Sequence, residues 1–310
     1  MKAVRIHNFG DVHMLRHDEI ELPTIESHEV LIKVIATAVN PVDWRVRDGF
    51  LKEMVPHQLP LTLGWDVAGI VHQVGSAVSH LDLGEPVYAL ADISRDGAYA
   101  EYIAVDAAAV AVKPRTISFA AAAALPLVGT TAWEAVINKA NIQKGQTILI
   151  HAGAGGVGSM AVQLAHWRGA RVIATASNRH HELLHSLGAD EVIDYNDVDF
   201  SGVVKNVDAV IDTMGGDIRT ASWQTLKSGG ILVALLPVDE AEASARGLRA
   251  EFFFVQPNAT ILAQLAELVD HGIVRPVIDS EYSLADIAKA QTRSETGHAC
   301  GKIVVQVAAP

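Results

Sequence analysis

Cysteine is almost missing from this chain: Cys300 is the only one in 310 residues. A single thiol excludes an intrachain disulfide framework and a Cys-rich structural zinc lobe, and it fits a reducing compartment. Charge is scarce too, at 19% of residues, and it runs acidic, with a formal net charge of -12. No Lys/Arg block or basic stripe is present to pair with phosphate backbones, which argues against a nucleic-acid partner. The acidic balance reads as a solubility feature. Long apolar runs are also absent. The longest, FAAAAALPLV at 119–128, is too short to span a bilayer and is interrupted by Pro126. The opening residues, MKAVRIHNFG, lack the apolar core of a signal peptide. The expectation is a cytoplasmic chain with no membrane partner. Half of the residues are hydrophobic, enough for a well-packed core. The length suggests about two domains.

The first third is β-rich. EVLIKVIATAVN (29–40), DVAGIVHQVG (66–75), EPVYAL (85–90) and AEYIAVDAAAVAVKP (100–114) are β-branched runs separated by turn residues. No strand–helix alternation shows here, so a closed or partly closed antiparallel unit is expected. From about residue 117 the rhythm changes. A helical stretch (118–140) precedes strand 147–151, a glycine loop, helix 157–168, strand 171–176, helix 180–187 and strand 191–193. Strand 207–212, helix 218–227 and strand 231–236 follow. Such alternation predicts βαβ units and a parallel sheet. FFFV (252–255) reads as a strand, ATILAQLAELVDHG (259–272) as an amphipathic helix, and GKIVVQV (301–307) as a strand returning to the first domain. VDEAEASARG (238–247) reads as a flexible link, and no internal repeat is visible.

The glycine loop carries the chemistry. In HAGAGGVGSM, Gly153-x-Gly155-x-x-Gly158 lies between a predicted strand and a predicted helix, the context that turns a weak pattern into a dinucleotide fingerprint. Gly153 is read as permitting the tight turn, Gly155 as admitting a pyrophosphate, and Gly158 as allowing close packing of helix on strand. The free N–H groups and dipole of the helix N-terminus then favour the diphosphate. An NAD site carries Asp or Glu at the tip of the next strand, about 20 residues on, to hold the ribose 2′-OH. Here the tip reads ATASNRHHE (174–182), and no acid precedes Glu182. Ser177, Asn178 and Arg179 suit a 2′-phosphate instead, so the expected cofactor is NADP(H).

Together NPVDWRVRDG (40–49), LGWDVAGIVHQVG (63–75), GAYAEYIAV (97–105), LPLVGTTAWEAV (125–136), HAGAGGVGSMAVQLA (151–165), LGADEVIDY (187–195) and GHACGKIVVQV (297–307) run nearly the length of the chain. This order resembles the zinc-independent quinone oxidoreductase branch of the medium-chain dehydrogenase/reductase superfamily. The resemblance implies an α/β protein: a GroES-like β-rich domain over 1–117, completed by about 259–310, plus a Rossmann doubly wound parallel-sheet domain over 118–258. It implies that Gly155, Gly156 and Val157 bind the pyrophosphate, and that Ser177 and Arg179 bind the 2′-phosphate. Tyr195 would lie near the adenosine end, and Thr213 would border the cofactor at the carboxyl edge of the sheet. Asn40 and Thr131 would face the nicotinamide ribose and ring, Phe254 and Val255 would wall the ring, and Gly301 with Lys302 would touch its far side. The implied reaction is NADPH-dependent hydride transfer to a quinone or an α,β-unsaturated carbonyl, by a homodimer. In that dimer the apolar 231–236 and 252–255 strands could supply the pairing edge. Some relatives of this kind bind the cofactor yet act as interaction or structural proteins, and an intact glycine loop does not separate the two classes.

The sister branch holds catalytic zinc through a GHE histidine and two cysteines. Here the corresponding positions are Gly64-Trp65-Asp66, Pro41 and Leu127, so three ligands are lacking and no metal is expected. A second metal pattern, His181-Glu182-x-x-His185, matches HExxH. The same residues have a complete structural reading: Leu183, Leu184 and Leu187 form a buried helix stripe and Gly188 stops the helix. Without metal, catalysis rests on positioning, for which Asn40, Asp43 and Thr131 are the candidates. Asp43 could donate a proton only if burial raised its pKa, and its competing role is to cap the turn after Pro41. Trp44, Trp65 and Asp66 stand where the family lines its pocket.

Overall fold

The structure, a computed structural model, describes residues 1–309. In chain order its first elements are β1 (Lys2–Ile6), β2 (Leu15–Glu19), β3 (Glu29–Val39), α1 (Pro41–Arg47), β4 (Leu61–Thr62) and β5 (Asp66–Val74). Next come β6 (Pro86–Leu90), β7 (Tyr102–Asp106), β8 (Val110–Val112), α2 (Phe119–Ala123), α3 (Pro126–Trp133), β9 (Thr147–Ile150) and α4 (Gly156–Trp167). The α/β region continues through β10 (Arg171–Thr175), α5 (His181–Ser186), β11 (Glu191–Ile193), α6 (Phe200–Val203), β12 (Val207–Asp212), α7 (Gly216–Ser222), β13 (Leu226–Ala234), α8 (Glu240–Ala245) and β14 (Arg249–Phe252). The chain closes with α9 (Ala259–Asp270), β15 (Ile278–Ser283), α10 (Ile287–Glu295) and β16 (Lys302–Gln306). No helix among the described residues is long and apolar enough to cross a membrane.

Two compact units result, one of residues 1–130, 256–272 and 276–310, the other of 131–255 and 273–275. The first unit is built on β3, eleven residues long and buried almost throughout. It is flanked in the sheet order β15-β16-β3-β5-β6-β8, with β7 also pairing β3. All these pairings are antiparallel except β15 with β16. A smaller sheet, β2-β1-β4, completes the unit. β16 pairs with β3 across Ile303–Val39 to Gln306–Ala36, so the last strand does return to the first domain. This unit runs on to Thr130, past the expected boundary at 117, because α2 packs its buried alanines on β3 and β5.

The second unit is a six-stranded, wholly parallel sheet in the order β11-β10-β9-β12-β13-β14. Counted from β9 this is the 3-2-1-4-5-6 winding of a dinucleotide-binding Rossmann sheet. One face is closed by Leu149, Val210 and Leu232 with Phe200, Trp223 and Leu248.

Several local expectations need correction. α1 was not anticipated, although Asn40 at the N-cap, Pro41 at the first helical position and Asp43 at the third are a start signal. The helix expected over 118–140 is broken between α2 and α3, because Pro126 has no N–H and constrains Leu125, and α3 passes into a π-helical run, Glu134–Lys139. The supposed link at 238–247 holds α8, capped by Asp239 accepting from the Ala241 and Glu242 N–H groups. β13 starts at Leu226, within the span read as helix, and β14 ends at Phe252, leaving Phe254 and Val255 outside regular structure. Residues 231–234 lie between β12 and β14 with neighbours on both sides, so this stretch cannot supply a pairing edge. The free edge on that side is β14.

Candidate active site

The proposed site residues divide between the two units. In the second, β9 runs into the glycine loop, which sits at the switch point where β9 pairs with both β10 and β12. The turn is tightened by Ala152, whose φ of 48° lies in the left-handed region, not by Gly153 as expected. Gly153 is required for packing: a Cβ there would stand 2.9 Å from Ala174 Cβ on β10. Gly158 is required more strongly, since its Cβ would fall 2.2 Å from the Ala152 carbonyl oxygen. Gly155 is the N-cap of the twelve-residue α4 and brings no side-chain cap. The first N–H groups of α4, at Gly156, Val157 and Gly158, therefore have no partner within the helix. Bare N–H groups at the positive end of a helix form an anion site, and the residues present fit a diphosphate.

At the end of β10 lie Ser177, Asn178 and Arg179, with Asn178 and Arg179 exposed. Arg179 Nε donates to His180 Nε2 at 3.0 Å. The Asn196 N–H donates to Asp194 Oδ1 at 2.9 Å, and this bond, with that of the Asn178 N–H to Oδ2 at 2.7 Å, holds the Asp194 carboxyl below its ordinary range. Tyr195, after β11, is 54% exposed. Thr213, just past β12, donates through Oγ1 to the His151 carbonyl at 3.3 Å. Beside it Asp212 is fully buried and accepts from the Met214 and Gly215 N–H groups and from Arg219 Nε at 2.6 Å. Arg219 also donates to the Leu236 and Pro237 carbonyls. One guanidinium thus ties together the loops after β12 and β13, a role that no local pattern announced. Thr131 is buried in α3, and Phe254 is 38% exposed.

The first unit gathers Asn40, Asp43, Asp66, Tyr99 and Lys302 into one buried polar network. Asp66 Oδ2 accepts from Asn40 Nδ2 at 2.7 Å and from Lys302 Nζ at 2.9 Å. Its Oδ1 accepts from the Leu127 N–H at 2.7 Å. Lys302 Nζ donates also to the Val39 carbonyl and to Asn40 Oδ1. With Oδ1 engaged and one Nδ2 hydrogen spent, Asn40 keeps at most one donor for a ligand. Lys302 has all three ammonium hydrogens engaged inside the unit. Gly301, at φ 84° and with a Cβ that would meet the Val277 carbonyl at 2.2 Å, is required by the turn before β16.

Asp43 Oδ2 accepts from the Asn40 N–H at 2.8 Å and from the Tyr99 hydroxyl at 2.7 Å, while Oδ1 meets no donor among the described residues. Burial pushes the Asp43 carboxyl up to about 7 against these bonds and the pull of Lys302. Burial, helped by Asp43, likewise raises the Tyr99 phenol. The network continues to Gln291 beside Tyr99, then to Arg47, whose Nη1 donates to Gln291 Oε1 at 2.7 Å. Arg47 Nη2 ends the chain on Glu295 at 2.7 Å. Trp65, expected to line a pocket, is instead 1% exposed and donates from Nε1 to the Arg95 carbonyl. Trp44 donates to Ser294 Oγ at 3.2 Å.

The HExxH pair serves its own helix and loop: His181 Nε2 faces the Ala176 carbonyl at 3.4 Å and His185 Nδ1 the Ala189 carbonyl at 2.8 Å. Leu184 and Leu187 are buried, Leu183 is half-buried, and Gly188 stops the helix at φ 104°.

Residues 26–115 match the family model described as "Alcohol dehydrogenase GroES-like domain", and residues 187–305 that described as "Zinc-binding dehydrogenase". The chain is 40% identical over 316 residues to the 2-methylene-furan-3-one reductase of Solanum lycopersicum, covering 98% of this chain and 79% of that protein. The same identity and coverage relate it to the "NADPH-dependent alkenal/one oxidoreductase, chloroplastic" of Arabidopsis thaliana. Among solved structures, the quinone oxidoreductase from Coxiella burnetii superposes with a TM-score of 0.92 at 36% identity, covering 99% of each chain. The chain belongs to the medium-chain dehydrogenase/reductase superfamily, in its zinc-independent quinone oxidoreductase branch. Within that superfamily the zinc-bearing members need a donor set that Pro41, Trp65 and Leu127 do not offer, since none of those side chains is a metal ligand. Asp66, next to the displaced histidine position, faces the Lys302 ammonium.

Proposed function

We propose that this medium-chain dehydrogenase/reductase is an NADPH-dependent reductase of quinones or α,β-unsaturated carbonyls. The observation that carries the reading is the uncapped glycine cradle at the switch point of a 3-2-1-4-5-6 sheet, followed by a strand tip without an acid. The reductase and oxidoreductase names of the relatives support it. When bound, the nicotinamide cofactor supplies a hydride. The chain's own part is to hold it: Gly155, Gly156, Val157 and Gly158 through N–H groups on the pyrophosphate, and Ser177, Asn178 and Arg179 on the 2′-phosphate. Thr213 and Tyr195 are proposed along its length, with Thr131, Phe254, Val255 and the remaining Asn40 donor at the nicotinamide end. Asp43 is fully buried, with Oδ2 engaged by Asn40 and Tyr99, so although its carboxyl is raised, solvent water is the proposed proton source for the reduced acceptor. The reading extends to a cytoplasmic homodimer paired through the β14 edge, which sedimentation of the wild type checks directly.

The decisive experiment follows NADPH oxidation with a panel of quinones and enones. Turnover of an enone or quinone is expected; tight NADPH binding with no turnover of any acceptor would sink the reductase reading. For cofactor choice, Arg179→Ala is expected to raise the KM for NADPH by about 10–100-fold, the worth of charge-assisted hydrogen bonds, and to leave NADH nearly unchanged. Equal effects on both nucleotides would rule out the 2′-phosphate assignment.

A further inference from the structure

His151 opens the HAGAGGVG motif, yet neither the fingerprint nor the proposed cofactor contacts give it a task. The residue is 1% exposed, and its ring packs edge-on against Phe200 at 4.7 Å between centroids. Nδ1 stands 3.2 Å from Thr175 Oγ1 on β10, and Nε2 stands 2.8 Å from Ser222 Oγ on α7.

The neighbouring bonds assign the direction of each contact. Ser222 has one hydroxyl hydrogen, and it goes to the Ile218 carbonyl at 2.7 Å. Ser222 Oγ therefore meets the ring as an acceptor, and Nε2 carries the ring hydrogen. Nδ1 is left as an acceptor, filled by the Thr175 hydroxyl. Thr175 Oγ1 in turn accepts the N–H of Ala152 at 3.3 Å, the residue held at φ 48° in the loop. The result is one directed chain: Ala152 N–H to Thr175, Thr175 to His151 Nδ1, His151 Nε2–H to Ser222, Ser222 to Ile218. A non-glycine residue in the left-handed region is disfavoured and persists only where its surroundings hold it. The Ala152 carbonyl also lies where a Cβ on Gly158 would stand, so the position of this residue sets how closely α4 approaches the loop.

We propose that His151 is the positioning residue of the glycine cradle: protonated on Nε2 alone, it braces the left-handed turn at Ala152 against β10 and α7. That brace fixes where the Gly156, Val157 and Gly158 N–H groups face the pyrophosphate. The proposal rests on the cofactor reading above and gives it a determinant that touches no ligand. Burial holds the ring neutral, driving its pKa from 6.5 to about 4 against the attraction of Asp212, the carboxylate on neighbouring β12 that Arg219 engages. Protonation would place a hydrogen on Nδ1 against the Thr175 hydroxyl and break the chain at its centre.

Two measurements on the full-length protein test this. Titration calorimetry with NADP⁺ should give a Kd raised roughly tenfold by His151→Leu, and likewise by Thr175→Val, since each removes a buried hydrogen bond and strands its partner. His151→Asn, which retains an acceptor towards Thr175, should stay within about threefold of wild type. At saturating NADPH the kcat of the three variants should match wild type, so the defect appears in cofactor affinity alone. Long-range proton–nitrogen NMR of the wild type should show Nε2 protonated and Nδ1 bare, a signature that general packing damage would not produce. Unchanged NADP⁺ affinity in His151→Leu and Thr175→Val, or a ring protonated on Nδ1, would overturn the proposal while leaving the cofactor reading intact. A wild type that binds no NADP⁺ would overturn both.

Discussion

Lys302→Met is expected to cost about 3–5 kcal/mol of stability, the scale observed when one partner of a buried ion pair is removed. Lys302 is 4% exposed and Asp66 is fully buried, so neither charge has solvent to fall back on. Without the ammonium, Asp66 keeps only Asn40 Nδ2 and the Leu127 N–H as donors, and the carboxylate is left short of compensation in a low-dielectric interior. Methionine fills a similar volume, so the loss reports charge rather than a cavity. Adding Asp66→Asn to Lys302→Met should recover most of the loss, because removing both charges also removes their desolvation cost. Denaturant melts of the two single variants and the double variant check this. A loss below about 1 kcal/mol in Lys302→Met, or strictly additive costs in the double variant, would show that the pair is not the buried anchor described.

Asp43 and His151 should give stability opposite dependences on pH, each visible when a non-titrating variant is compared with wild type. Asp43 has its carboxyl raised from 3.8 to about 7 by burial, opposed by the bonds from Asn40 and Tyr99 and by Lys302, and reinforced by Asp66. Between those values the folded state holds a proton that the unfolded chain has released, so stability falls as pH rises, by about 1.4 kcal/mol per unit. Its contribution is full below pH 3.8 and is lost by about pH 7, a change of about 4 kcal/mol. Relative to wild type, Asp43→Asn should therefore gain stability steadily across that window. His151 runs the other way. With its folded pKa depressed from 6.5 to about 4, the unfolded chain binds the extra proton, and stability is lost as pH falls through that window, by about 3 kcal/mol in all. His151→Asn should be spared this loss. Parallel curves for a variant and wild type between pH 4 and 7 would refute the corresponding assignment.

These effects also show how far the chain could be read before folding was considered. The parallel sheet and the glycine loop between β9 and α4 were legible because each depends on near neighbours: an apolar run, a turn, a helix start. Period-two and period-3.6 patterns are local properties of strands and helices. Misread boundaries fall where a local rule was overridden or overlooked. Pro126 breaks a helix that alanine content favours, and Gly229 and Gly230 hid a strand that pairs β12 at Leu226 and again from Ile231. The tight turn read onto Gly153 has its left-handed residue at Ala152, since a fingerprint marks where a turn occurs but not which residue bears the strain.

The remaining site chemistry spans long separations. Lys302 is brought to Asp66 across 236 positions and to Asn40 across 262 by the β16–β3 and β3–β5 pairings. Each residue was noticed singly, but nothing in its own stretch says that the lysine is spent on the aspartate. His151 reaches Thr175 and Ser222, 24 and 71 positions on, only because the fold brings β10 and α7 to the end of β9. Local sequence thus determined the winding, the glycine loop at its switch point and the want of zinc ligands, all of which follow from residue type and short-range order. Tertiary structure alone decided which buried charges pair, which tautomer the histidine takes, and which candidates have donors to spare. Those outcomes depend on desolvation and on partners that only the folded chain brings within hydrogen-bond reach.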